Sequence, residues 1–130
     1  MASINRVLTN ICSDDLAKSE QFYTSLFNLK VAYTSDWFVH LTSDQAHFEL
    51  GIILRTNDVV PEAHQNAPRG TYLTFVVDDV LAIFEKAKSL GYRIVQEIQD
   101  TFYGQKRLLL EDPNGLLVDV SSPIKDFDFS

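Results

Sequence analysis

Two carboxylates stand where carboxylates are costly to keep. Asp119 lies in Leu116-Leu117-Val118-Asp119-Val120, and Glu49 follows Phe48 and precedes Leu50. An unpaired carboxylate taken from water takes up a proton, so each needs a hydrogen-bond donor, a cation or a metal ion. Asn10, Thr74 or a tyrosine hydroxyl could donate. In an alternating strand His47 shares a face with Glu49, which makes it the third ligand if Glu49 and Asp119 hold a divalent ion. Glu49 is also the candidate base of a metal-free reaction. Trp37, Tyr72 and Tyr103 are aromatics able to stack on a flat ligand. Lys106 and Arg107 precede a leucine run, and parity alone does not decide which of them faces Asp119. His40 and His64 lack ligand spacing and read as surface or rim residues, and Cys12 as a small packed side chain. Phosphate loops, nucleophile elbows and zinc signatures are missing.

Composition narrows the classes. The chain has 130 residues, 45% hydrophobic and 22% charged, which suits a single soluble domain. Eighteen acids against eleven Lys and Arg give a net charge of -7, which repels nucleic acid and anionic membranes and favours a cationic ligand. One cysteine excludes an intramolecular disulfide. With no signal-like apolar run and no membrane-span-length stretch, the expected location is the cytoplasm.

The elements that must position these residues repeat. Ile4 to Ser13 reads as a strand, and Ser13-Asp14-Asp15 caps a helix from Leu16 to Asn28. Strands follow at Val31 to Thr34, Trp37 to Thr42 and Ala46 to Leu54. Arg55 to Arg69, with two prolines and no period, is a linker. The order then restarts: a strand over Thr71 to Val77, an Asp78-Asp79 cap, and a helix with Val80, Ile83, Phe84, Ala87 and Leu90 on one face. Gly91 ends that helix and Tyr92 to Val95 is a strand. A hairpin over Tyr103 to Ser122 turns at Asp112-Pro113-Asn114-Gly115, where proline and glycine suit the corner. The expected organisation is one domain over 1–130: a first module at about 4–54, the linker at 55–69, a second module at about 70–122, and an arm at 123–130. The fold class is α+β, two βαβββ modules forming a cupped mixed sheet with helices outside.

These pieces resemble the vicinal oxygen chelate superfamily: glyoxalase I, extradiol dioxygenases and the bleomycin resistance proteins. Asp14-Asp15-Leu16 with Ser19 and Phe22-Tyr23 is similar to its first helix, Gly70 to Leu90 to its second strand and helix, and Tyr103-Gly104 through Gly115 to its closing hairpin. The resemblance implies a homodimer. It also places the family's four metal-ligand positions at Leu8, Glu49, Tyr72 (or, shifted by one, Thr71) and Asp119. Leucine cannot ligate, and neutral tyrosine ligates poorly. The expectation is therefore a protein that binds a small organic molecule, cationic or aromatic, in an aromatic, acidic cleft. It would hold no metal or other cofactor and would contact the ligand through Asn10, Trp37, His47, Glu49, Tyr72, Thr74, Tyr103, Arg107 and Asp119. The alternative is a lyase or dioxygenase dependent on a divalent metal.

Overall fold

The computed structural model describes residues 2–44 and 48–128. Its chain divides into two units, the boundary falling between Pro68 and Arg69. In the first unit β1 (Thr9–Ser13) runs into α1 (Leu16–Phe27), followed by β2 (Lys30–Thr34), β3 (Phe38–Thr42) and β4 (Glu49–Leu54). The sheet order is β1-β4-β3-β2, with β1 parallel to β4 and the other pairs antiparallel. Asp15 starts the helix by accepting from the Lys18 N–H at 3.0 Å, which satisfies an orphan donor of the first turn. Asn28 stops it in the left-handed region at φ 54°. Ser19, Phe22, Tyr23 and Leu26 recur at helical spacing and are buried. They cover the sheet face that carries Ile11, Val39, Leu41, Leu50 and Ile52. The opposite face carries Asn10, His40, Thr42, Glu49 and Gly51.

The second unit repeats the order with β5 (Tyr72–Val76), α2 (Val80–Ser89), β6 (Arg93–Asp100), β7 (Gln105–Glu111) and β8 (Leu117–Pro123). Its sheet runs β5-β8-β7-β6, again with one parallel pair, β5 and β8. Asp79 caps α2 by accepting from the Ala82 N–H at 3.1 Å. Gly91 follows the helix at φ 76°, a conformation open to glycine without steric cost. Ser122 ties the helix start to β8, accepting from the Val80 N–H and donating to the Val77 carbonyl. Leu108, Leu110, Val118 and Val120 form the buried face, while Arg107, Leu109, Asp119 and Ser121 take the other parity. At the β7–β8 turn, buried Asp112 accepts from the N–H groups of Asn114 and Leu116 at 2.8 and 2.9 Å.

The α+β class and the two βαβββ modules stand as expected. The largest differences in bounds lie in β1 and β6. β1 starts at Thr9, not Ile4; of the strand expected from Ala46, β4 is described from Glu49, and Ala46 and His47 lie outside the described residues. β6 continues past Val95 to Asp100, because an edge strand tolerates polar residues and its two bulges absorb the misfit. Among the described residues no helix is long and apolar enough to cross a membrane.

Candidate functional site

In the first module the site is built around Glu49, whose side chain is 17% exposed. β3 and β4 pair Thr42 with Glu49 and His40 with Gly51, so His40 lies one diagonal step from the carboxylate on the same face. Arg6, in the segment before β1, closes the group. Its Nε donates to Glu49 Oε2 at 2.6 Å and its Nη2 to Oε1 at 2.5 Å, a bidentate fork. His40 Nε2 lies 2.9 Å from Glu49 Oε1 and 3.3 Å from Arg6 Nη2. A carboxylate oxygen can only accept, so the ring carries its proton on Nε2 and donates to Glu49; the longer approach of Arg6 is then close packing, not a bond. The Arg6 hydrogen bond, with help from His40, holds the Glu49 carboxyl below the usual range against the opposing effect of burial. The same contact raises the Arg6 guanidinium. As a proton acceptor Glu49 is thereby weakened.

A pocket of about 350 Å³ adjoins this group, lined by Arg6, Val7, Thr42, Ser43, Phe48 and Glu49 together with Asn5. One row away the sheet is filled by its own side chains. A Cβ on Gly51 would stand 2.1 Å from Asn10 Oδ1 and 2.9 Å from two atoms of the Phe38 ring. Phe38 is therefore an aromatic on this face, as is Tyr33, the β2 partner of His40. Trp37 has the alternate parity of Val39 and Leu41 and stacks obliquely on Phe38 at 5.6 Å.

In the second module Asp119 is 5% exposed. Thr74 Oγ1 donates to its Oδ2 at 3.0 Å and Ser121 Oγ to its Oδ1 at 2.8 Å. Arg107 Nε stands 3.4 Å from Oδ1, an ion pair too long for a hydrogen bond. β5 pairs Thr74 with Asp119 and Tyr72 with Leu117. The β5 residue that reaches the carboxylate is thus Thr74, not the resemblance-assigned Tyr72, whose ring is half exposed. Lys106 takes the other parity and pairs with Asp100 at 3.1 Å, so Arg107 is the cation on the Asp119 face.

The structure gathers Glu49 with Arg6 and His40, and Asp119 with Thr74, Ser121 and Arg107. Asn10 sits on the open face of the first sheet, over Gly51. Tyr103 belongs to the β6–β7 turn, edge-on to Phe102 at 5.2 Å. His47 lies outside the described residues. Sequence reasoning missed Arg6 and His40. The signal that could have found them was alternation within the strands expected at Ile4 to Ser13 and Trp37 to Thr42, but alternation does not say which strands pair.

The two acids do not lack cations: each has an arginine of its own module beside it. That removes the physical reason for expecting a cationic ligand. The donors of neither module, taken by themselves, fit a divalent metal well. Leu8 offers no donor, both Glu49 oxygens are engaged, and Asp119 is capped by two hydroxyls. Among the described residues no three His, Cys, Asp or Glu side chains are grouped to hold an ion.

Comparison with known proteins gives one family. The model described as Glyoxalase/Bleomycin resistance protein/Dioxygenase superfamily matches residues 3–120. Similar solved structures include a glyoxalase-related enzyme from Fulvimarina pelagi, 19% identical, covering 92% of this chain and 88% of that one at a TM-score of 0.76. A lactoylglutathione lyase from Agrobacterium tumefaciens is 21% identical, covering 94% and 95% at 0.70. A glyoxalase/bleomycin resistance protein/dioxygenase from Nocardioides is 14% identical, covering 100% and 90% at 0.73. At these identities the structural likeness establishes the fold alone. No curated protein matches the chain.

Proposed function

The chain belongs to the Glyoxalase/Bleomycin resistance protein/Dioxygenase superfamily, and from that premise we propose that it binds a small organic molecule through polar side chains, without a tightly held metal ion. The observation that carries this reading is the state of Glu49. Its two oxygens are met by a guanidinium fork and an imidazole N–H, the pattern of a hydrogen-bonded recognition group instead of a metal ligand. The adjoining pocket of about 350 Å³ falls within the size range of small-molecule sites. Arg6 is 59% exposed at its side chain, so a ligand can exchange with it at modest cost.

A thermal-shift screen of small organic compounds, run with chelator and again with added zinc or nickel, tests the reading. Stabilisation by an organic compound that survives chelator supports it. Stabilisation that requires a divalent metal contradicts it and favours the metal-dependent lyase or dioxygenase.

Two companion readings accompany it. Val31, Val76 and Phe102 are exposed apolar side chains, which a second copy of the chain would cover, so the protein is read as a homodimer. Sedimentation at two concentrations would register it. The free Cys12 suits a reducing compartment such as the cytoplasm.

A further inference from the structure

Arg107 is the most poorly matched polar group of the second module. Its side chain is 25% exposed, and its Nε is buried without a hydrogen-bond acceptor. Guanidinium offers five N–H donors. Within the described residues no hydrogen bond from them is made, and its ion pair is the 3.4 Å approach to Asp119. The neighbours that could accept are already engaged. Asp119 receives the hydroxyls of Thr74 and Ser121. Gln99, opposite Arg107 on β6, accepts from Gln96 Nε2 at 2.9 Å. Glu111 is paired with Arg93, and Asp100 with Lys106. Asp119 thus balances the charge of Arg107 without supplying its hydrogen bonds.

A second unmatched atom lies on the same strand face. Gln105 Oε1 is buried with no donor. Gln105 and Arg107 are two positions apart on β7, so they point the same way with origins about 6.6 Å apart from the strand rise. An acceptor without a donor and a donor fork without an acceptor therefore stand side by side. Each is a group whose desolvation is uncompensated inside the protein.

We propose that this face of the second module is a binding site for a small organic carboxylate that also carries a hydroxyl or N–H donor. The carboxylate would take the terminal N–H groups of Arg107, on the open part of a side chain that is 25% exposed, and the donor would meet Gln105 Oε1 once that buried amide turns outward. The proposal rests on the small-molecule reading above and adds the ligand's chemical class. Arg107 carries one charge and already offsets Asp119, so the ligand's carboxylate gains here through hydrogen bonds to the guanidinium and not through net charge.

The test uses the full chain and four probes sharing one ring: 4-hydroxybenzoate, its methyl ester, 4-hydroxybenzylamine and benzoate, followed by calorimetry and thermal shift. Binding of the acid, with the ester and the amine at least roughly tenfold weaker, is the expected result. Arg107→Gln should abolish that preference, and Arg107→Lys should restore only part of it, because an ammonium lacks the planar fork. Gln105→Leu should weaken 4-hydroxybenzoate while leaving benzoate unchanged. Without ligand, Arg107→Gln should melt below the parent, because buried Asp119 loses its cation, so the binding role is read from the acid-against-ester preference at a temperature where both proteins are folded. Equal binding of acid and ester, undiminished acid binding in Arg107→Gln, or no response to any acid overturns the inference. Should the amine alone bind, the carboxylate class fails while small-molecule binding survives; chelator-sensitive stabilisation would instead remove the underlying reading.

Discussion

The two modules repeat one strand order and hold their carboxylates in opposite ways. Glu49 in β4 is clamped from outside the sheet by Arg6, residues 43 positions apart in the chain. Asp119 in β8 is held from within the sheet by hydroxyls on β5 and β8, and its arginine is left without hydrogen bonds. In the first module the acid is the saturated group; in the second the cation is the spare one. Duplicated topology therefore fixes where a side chain points, while the residues flanking it decide which partner is left available for a ligand.

The comparison breaks first, if it breaks, at Asp119. Replacing it with Ala strands Arg107 beside two hydroxyls, and the loss should be about 2–3 kcal/mol in urea unfolding. Glu49→Ala should cost less, because Arg6 is free to return to water. Equal losses would show that the two carboxylates are held alike after all.

Gly51→Ala addresses the packed row beside Glu49. The added Cβ meets Asn10 Oδ1 and the Phe38 ring, and both must move. A loss of about 1–2 kcal/mol is expected from such overpacking. A double variant with Asn10→Ala should recover part of it, and no recovery would place the strain at Phe38.

The acid limb of stability gives a smaller, directional effect. Glu49 has its folded pKa lowered, chiefly by Arg6, so its charged form contributes stability above the usual glutamate pKa. That contribution fades as pH falls from the ordinary carboxylate range through the lowered folded value. Below it, folded and unfolded states are both protonated there and the contribution is gone. Glu49→Gln should therefore flatten this part of the pH–stability curve. An unchanged acid limb would show that the Arg6 clamp is not held in solution.

Much of this was readable from the sequence because it depends on neighbours in the chain. Asp15 and Asp79 precede aliphatic helical stripes and cap both helices, and Asp112 to Gly115 forms the turn that proline and glycine dictate. The hydrogen bond from Thr74 to Asp119 was among the open options, since Thr74 carries a hydroxyl on an expected strand. The Arg6 clamp was not readable, because the strand expected from Ile4 placed Arg6 in a sheet and its partner Glu49 is a tertiary neighbour 43 positions away. His40 required the β3–β4 register, and Arg107 over Lys106 required the β7–β8 register, which hydrophobic alternation through Leu108-Leu109-Leu110 does not reveal.

The most direct trial of metal-free recognition is metal analysis of protein purified without chelator, alongside its Glu49→Ala variant. The account predicts well below one equivalent of zinc, nickel, manganese or iron in both, and no change between them. One equivalent in the parent that is lost in Glu49→Ala would contradict it, because Glu49 would then be a metal ligand and not the partner of Arg6.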